Sequence, residues 1–265
     1  MASTFKARTI EAYERSMGRW SRNLATDLIT FGGLQAGERV LDVGCGTGSL
    51  LFRLAAQDLA AIDGIDFSAG FIDYIKSQTT DPRITARQGD ACTLPYANAA
   101  FDRAFCQLVL HFVSDPGQAI AEMRRVVRPG GMITAATWDH FGGHVVHRML
   151  LDTAAVLDGA AEKHRADLQS SLVSRPGGLG TLFRAAGLQD VVEAPIVVRM
   201  DFADFDDYWL PIAAGEGRTG RYVEGLSDAA RSTLQDHVRR AYLCSNEDGP
   251  RSFASVALAC RGRVP

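Results

Sequence analysis

No stretch of the 265-residue chain comes near the roughly 18 consecutive apolar residues that a membrane-crossing helix requires. Residues 1–10 hold no apolar core of a secretory signal, so neither membrane insertion nor export is expected. A strong charge of one sign is missing too. The 28 Lys and Arg stand against 31 Asp and Glu, a formal net charge of −3. That is too little to draw the whole molecule onto nucleic acid or anionic lipid. The five cysteines, Cys45, Cys92, Cys106, Cys244 and Cys260, are odd in number and never spaced C-x-x-C. A disulfide framework or a zinc site is therefore disfavoured, and a reducing, cytoplasmic setting is expected. No proline- and serine-rich linker divides the chain and no internal repeat is present, so 1–265 is read as one domain.

What is present is an alternation. Tyr13, Met17 and Trp20 fall at i, i+4 and i+7, and Leu24, Leu28 and Phe31 extend the stripe, which predicts a helix up to Gly32-Gly33. Short apolar runs at 39–43, 60–65, 84–88, 101–108 and 132–138 read as strands. Helical patterns at 49–57, 68–78 and 115–127 separate most of them, and Arg128-Pro129-Gly130-Gly131 closes the last of these helices. Five strands alternating with helices predict an α/β fold, doubly wound about a mostly parallel sheet. Helices at 144–157, 178–186 and 227–243 and strands at 191–200 and 253–260 complete a seven-stranded sheet. Residues 201–225 mix aromatics, glycines and charges with no clear period. The expected parts are an N-terminal helical lid at 1–33, a cofactor-binding core at 34–140 and a helical insertion at 201–251 before the last strand.

In such sheets ligands gather beyond the carboxyl ends of the strands. Three features fall there: the loop Gly44-Cys45-Gly46-Thr47-Gly48, then Asp66, then Asp90, each ending a different expected strand. Main chain without Cβ atoms turns tightly and lets a ligand lie directly on it. The spacing is G-x-G-x-G, whereas the dinucleotide fingerprint needs a third glycine where Ser49 stands. Asp66 lies 18 residues beyond Gly48, where a carboxylate suits ribose hydroxyls of either class of nucleotide cofactor. On the loop alone, an NAD-dependent oxidoreductase stays open.

The run Val40-Leu41-Asp42-Val43-Gly44-Cys45-Gly46-Thr47-Gly48 resembles the first motif of class I S-adenosylmethionine-dependent methyltransferases. Later segments agree with that resemblance: Gly64-Ile65-Asp66-Phe67-Ser68, Gln88-Gly89-Asp90-Ala91, Leu94-Pro95-Tyr96 and Val126-Val127-Arg128-Pro129-Gly130-Gly131. It covers about residues 10–140, and resembles in particular the small-molecule branch that includes the ubiquinone and menaquinone C-methyltransferases. The resemblance implies a Rossmann-like methyltransferase fold and S-adenosyl-L-methionine as cofactor. By the same resemblance Gly44, Gly46 and Gly48 let the methionine end and ribose approach the backbone, while Asp42 orients that loop. Asp66 accepts from both ribose hydroxyls, which a carboxylate can do in bidentate fashion. Phe67 packs on the adenine, Asp90 accepts from its amino group, the Ala91 N–H reads a ring nitrogen, and Gln107 faces the methionine portion. Tyr13, Arg19, Trp20 and Arg22 belong to the helix that covers the cofactor, with an arginine pairing its carboxylate.

The acceptor is approached by elimination. Gln107-Leu108-Val109-Leu110-His111-Phe112 is not the Asn/Asp-Pro-Pro-aromatic tetrad of amino-group DNA methyltransferases, no cysteine follows a proline, and no basic tail is present. A small-molecule methyl acceptor is expected, with no nucleic acid and no membrane as partner. His111, just after the fourth strand, is the expected general base, since an ordinary histidine has a pKa of about 6.5 and is available neutral at pH 7. His140 and His144 are weaker candidates for that role, and no metal is expected on their H-x-x-x-H spacing, because Phe141-Gly142-Gly143 is a poor helix and no third ligand stands out. Trp138, Phe141, Tyr208, Trp209, Arg218, Arg221 and Tyr222 are expected to roof an apolar pocket, with Gly215-Glu216-Gly217 and Gly220 as a closing segment. A cofactor-binding module without turnover also remains open, as does the choice among carbon, oxygen and nitrogen methylation.

Overall fold

The computed structural model describes residues 9–215 and 217–265. The N-terminal stripe forms a helix in two parts. Thr9 caps α1 (Ile10–Tyr13), a π-turn at Glu14–Gly18 follows, and α2 (Arg19–Gly32) ends at Gly33 in the left-handed region. The π-turn is a departure from the unbroken helix expected. Within it the Glu14 carboxylate lies over Gly18, accepts from the Thr47 hydroxyl and pairs with Arg22. A side chain at position 18 would meet that carboxylate at 2.6 Å.

The alternating part follows as β1 (Arg39–Val43), α3 (Leu51–Ala55), β2 (Ala61–Asp66), α4 (Ala69–Gln78), β3 (Ile84–Gln88), β4 (Phe101–Gln107), α5 (Pro116–Val126) and β5 (Val127–Trp138). Ser68 caps α4, and Asp115 caps α5, whose first residue is a proline that has no N–H to leave unpaired. The helix expected at 49–57 is reduced to five residues, because 49 and 50 are still turning out of the glycine loop. Then come α6 (Val145–Leu157), α7 (Gly159–Ser170), a 3₁₀ turn (Leu172–Ser174), α8 (Gly178–Ala185) and β6 (Gln189–Phe202). The insertion before the last strand holds α9 (Phe205–Ala213), α10 (Gly217–Glu224) and α11 (Asp228–Leu243), and β7 (Arg251–Arg263) ends the sheet.

The seven strands lie in the order β3-β2-β1-β4-β5-β7-β6. Only β7 runs antiparallel, between β5 and β6. The seven-stranded, mostly parallel, doubly wound sheet is the fold the sequence predicts. Because both faces are covered by helices, the inner strands are buried over most of their length, with exposed residues at Arg39 of β1 and at 128–130 of β5. Along β1 the side chains alternate: Val40 packs with Trp20, Leu24 and Leu28 of α2, while Leu41 and Val43 pack with Ile120 and Met123 of α5. Leu41 is fully buried; truncating such a leucine to alanine typically costs about 2–5 kcal/mol. The order reverses between β1 and β4, so the crevice expected of a doubly wound sheet opens above the glycine loop.

Candidate active site

The loops beyond the carboxyl ends of β1, β2, β3, β4 and β5 surround one cavity of about 680 Å³. That volume is in the middle of the roughly 300–1,000 Å³ range of small-molecule sites. The first half of the cavity is built on the glycine loop. Gly44 and Cys45 both donate to the Ile65 carbonyl, at 2.7 and 3.1 Å, which ties the start of the loop to the end of β2. Gly44 has φ +75°, and a Cβ there would sit 2.2 Å from Val109 Cγ2. The backbone can pass at that point only as glycine. Tyr13 reaches over the loop, its hydroxyl near Gly46, and its ring packs 5.2 Å from that of Phe71.

Asp66 ends β2 at the rim of the cavity. One carboxylate oxygen accepts from Gly46 N at 2.9 Å and the other from Ser68 N at 2.8 Å. The acid thus braces the loop and caps the next turn, and each oxygen keeps a lone pair for another donor. Burial raises its pKa, against the lowering effect of those N–H groups. Asp90 likewise uses one oxygen, for Cys92 N at 2.9 Å. Phe67, Asp90, Ala91 and Gln107 all line the cavity, and Phe67 is 45% exposed beside it. Gln107 donates to the Ser21 carbonyl at 2.9 Å, and its Oε1 is buried with no partner among the described residues.

Asp42 lies beneath the loop, outside the main cavity. It borders a second, polar space of about 20 Å³ together with Tyr13, Ser21 and Gln107. Burial, and secondarily the Asp66 carboxylate, raise its pKa to about 8. Gly48 also stays outside the main cavity, covered by the Phe52 ring. The two arginines of the N-terminal helix are committed elsewhere. Arg19 lines the cavity but makes a two-pronged ion pair with Asp207 of α9, both bonds 3.0 Å, and lies over the Trp20 ring at 4.2 Å. Arg22 pairs with Glu14, 44% exposed and away from the cavity. Each guanidinium is thus paired with a carboxylate of the chain itself, Arg19 at the cavity wall and Arg22 away from it.

The second half of the cavity is reached past the end of β4. Leu108 has φ +60°, a conformation that costs a branched residue about 1–2 kcal/mol. It swings the chain so that Val109, His111 and Phe112 all line the cavity. Here the sequence reading named three of four histidines and missed the fourth, His147. His111 is joined by His140, His144 and His147, all on the cavity wall. The rings of Trp138, His144 and His147 stack in series, 4.6 and 4.4 Å between centroids. His144 Nδ1 is 3.2 Å from the Ser255 hydroxyl, which is itself fully buried. Burial holds the His144 pKa well below the ordinary value and brings that of His147 down to about 4, so both rings are neutral at pH 7. The spacing H-x-x-x-H-x-x-H from 140 to 147 was the available signal. No group of three or more His, Cys, Asp or Glu with the geometry to hold a metal occurs among the described residues.

Of the residues expected to roof the pocket, Trp138 and Tyr208 line it, the latter donating its hydroxyl to the Val146 carbonyl at 2.8 Å. Phe141, Trp209, Arg221 and Tyr222 do not. Glu216 and the side chain of Arg218 lie outside the described residues, while Gly217 and Gly220 belong to α10. No helix among the described residues is long and apolar enough to cross a membrane.

A doubly wound sheet of this order, with a glycine loop after β1 and acids after β2 and β3, defines a Rossmann-like methyltransferase fold. Residues 41–135 match the family model described as a methyltransferase domain. Among curated proteins it is similar to demethylmenaquinone methyltransferase of Renibacterium salmoninarum, 38% identical over 128 residues, 47% of this chain and 51% of that protein. It is also similar to 27-O-demethylrifamycin SV methyltransferase of Amycolatopsis mediterranei, 30% identical over 136 residues, 50% of this chain and 46% of that protein. The chain thus spans about half the length of these relatives. Among solved structures, phosphoethanolamine N-methyltransferase 2 of Haemonchus contortus, in complex with phosphomonomethylethanolamine and S-adenosylhomocysteine, superposes with a TM-score of 0.60 at 18% identity. The match covers 97% of this chain and 57% of that one.

Proposed function

We propose that the chain binds S-adenosyl-L-methionine on the glycine loop and transfers its methyl group to a small organic acceptor held in the histidine-lined half of the same cavity. The observation that carries this reading is the continuity of the cavity. The cradle at Gly44 and Gly46, with Asp66 and Asp90 on its rim, opens without a wall onto His111. The residues present suit the cofactor. Gly44 and Gly46 leave bare main chain, Asp66 and Asp90 keep acceptor capacity for ribose hydroxyls and an adenine amino group, and Gln107 Oε1 is a buried acceptor in want of a donor. Phe67 offers a ring beside them and Ala91 its N–H, while Tyr13 reaches over the loop and Arg19 and Trp20 line the cavity from the N-terminal helix.

When bound, the cofactor supplies an activated methyl on a positive sulfur, a good leaving group. The chain's task is then to hold the acceptor's nucleophile in line with that methyl and to exclude water. His111 takes up the proton when the acceptor is a hydroxyl or an acidic carbon. Calorimetry with S-adenosylhomocysteine and with NAD tests the cofactor, and release of S-adenosylhomocysteine across a panel of acceptors tests the transfer. Binding of NAD with none of S-adenosylhomocysteine would reverse the reading. Asp66→Ala should weaken S-adenosylhomocysteine about tenfold or more, since charge-assisted hydrogen bonds contribute roughly 1.5–3 kcal/mol. An unchanged dissociation constant would remove Asp66 from the site.

A further inference from the structure

Asp90 and Ala91 stand on a stretch of chain that belongs to no helix or strand. β3 ends at Gln88 and β4 begins only at Phe101. Asp90 steadies the first turn by itself: its carboxylate accepts from Cys92 N at 2.9 Å and its carbonyl from Thr93 N at 3.0 Å. Those bonds are local and would travel with the turn if it moved. Among the described residues, every hydrogen bond that ties the main chain of 90–99 to another element ends on α5.

Three polar side chains of α5 carry most of that attachment. Gln118, Glu122 and Arg125 fall at i, i+4 and i+7, one stripe along the helix. Gln118 reaches the Cys92 carbonyl at 3.4 Å, and Glu122 Oε2 accepts from Leu94 N at 2.8 Å. Arg125 Nη2 donates to the Leu94 carbonyl at 2.8 Å, and Nη1 donates to the Tyr96 carbonyl at 2.7 Å and to Asn98 Oδ1 at 3.0 Å. Nε and Nη2 also bind the two oxygens of Glu122, at 2.7 and 2.8 Å. The five N–H groups of a guanidinium thus meet five acceptors, and a planar fork so engaged has one orientation. Glu122 neutralises the cation and is itself 13% exposed. None of the three side chains lines the cavity, whereas Gly89, Asp90 and Ala91 do. Their hold on the cavity is through the loop.

That hold matters for the base of a nucleoside. A hydrogen bond spans only about 2.7–3.2 Å, and a recognition site works when its groups are fixed to about 0.5 Å. We propose that Arg125, set by Glu122, is the positioning residue that makes the cofactor site select adenine, by holding Asp90 and Ala91 where one accepts from the 6-amino group and the other donates to a ring nitrogen. This rests on the cofactor reading above. The test titrates the full chain by calorimetry at pH 7 with S-adenosylhomocysteine and with S-inosylhomocysteine, in which a carbonyl replaces the 6-amino group and N1 carries a proton. The exchange sets an oxygen against the Asp90 carboxylate and an N–H against that of Ala91. The wild type should prefer S-adenosylhomocysteine at least about tenfold. Arg125→Met should cut that preference about threefold or more, the loss falling on S-adenosylhomocysteine. A smaller folded fraction would weaken both ligands alike and leave their ratio standing, so the ratio separates positioning from stability. Glu122→Gln, which confronts the guanidinium with an amide, should move the ratio the same way and decides alone if Arg125→Met does not fold. Arg124→Met removes a neighbouring guanidinium that lies against Gly187, and should leave both affinities as in the wild type. A wild-type ratio in either folded variant of the pair overturns the proposal, as does an equal shift in Arg124→Met or a wild type that binds both ligands equally. Absence of S-adenosylhomocysteine binding by the wild type would instead strike the cofactor reading, and this proposal would fall with it.

Discussion

The carboxyl of Asp42 ought to make the protein lose stability as the solution becomes more alkaline. The side chain is 1% exposed, and burial beside Asp66 raises its pKa from 3.8 to about 8. In the unfolded chain it returns to about 3.9. Between those values the folded form holds a proton that the unfolded form has released, so stability falls by about 1.4 kcal/mol for each pH unit. Its contribution is complete below about pH 4 and gone above about pH 8; between pH 4 and 7 the loss is of order 4 kcal/mol, a large share of a usual total of about 5–15 kcal/mol. Asp42→Asn keeps the shape and cannot ionise. Urea unfolding of both proteins without cofactor, followed by circular dichroism at pH 5, 6, 7, 8 and 9, isolates the effect. Variant minus wild type should climb steadily up to pH 8 and then level off. A difference that stays constant with pH would refute the reasoning, since Asp42 would then ionise in the folded protein as it does in water.

The histidines act in the opposite sense. The His147 pKa of about 4 lies below the ordinary value, so as pH falls from about 6.5 towards 4 the unfolded chain gains a proton that the folded chain refuses, and stability drops. His147→Phe should flatten that acid limb in the same urea series; an unaltered limb would mean the ring is solvated. Gly44→Ala should destabilise by about 2 kcal/mol or more, from the left-handed φ and the clash with Val109, with thermal unfolding as the readout. A melting temperature equal to the wild type would show that the loop can relax. Finally, a double-mutant cycle on Arg19→Ala and Asp207→Ala should give a coupling of about 0.5–1 kcal/mol, because each side chain is 26% exposed and the pair is partly screened. Zero coupling would mean the N-terminal helix and α9 are held together by apolar contacts alone.

Much of the fold was legible because local chemistry and global arrangement agree. The strands that end at Val43, Asp66 and Gln107 are short, apolar and followed by turn residues, so their position needed no tertiary information. The glycine loop and its two acids were legible for the same reason. The helix α7 was not, since Gly159–Ser170 buries only Ala161 and Leu168 and shows almost no apolar stripe. Nor were α9 and α10: rings of α9, Phe205 and Tyr208, pack on Tyr242 of α11, and Tyr222 of α10 stacks on His164 of α7, so both helices depend on partners remote in sequence. The fate of Arg19 depended on a partner 188 positions away. Of the histidine wall, His111, His140 and His144 were legible as candidates, and His147 escaped because taken singly it looks like an ordinary polar residue of a helix. What distinguishes the four is their place on one cavity wall, and that is a property of the folded molecule.

The antiparallel strand carries a consequence for how the chain can be assembled. Among the described residues strand β6 hydrogen-bonds to no strand but β7, and β7 follows it by about fifty residues. Every residue of 189–202 must therefore wait, edge bare, while about fifty more are synthesised. During that interval the half of the sheet that carries the glycine loop can already be paired, whereas β6 has no partner strand to lean on. Nascent chains halted near position 250 should be sticky in a way that chains containing β7 are not, and that hazard falls on the β6 edge of the sheet.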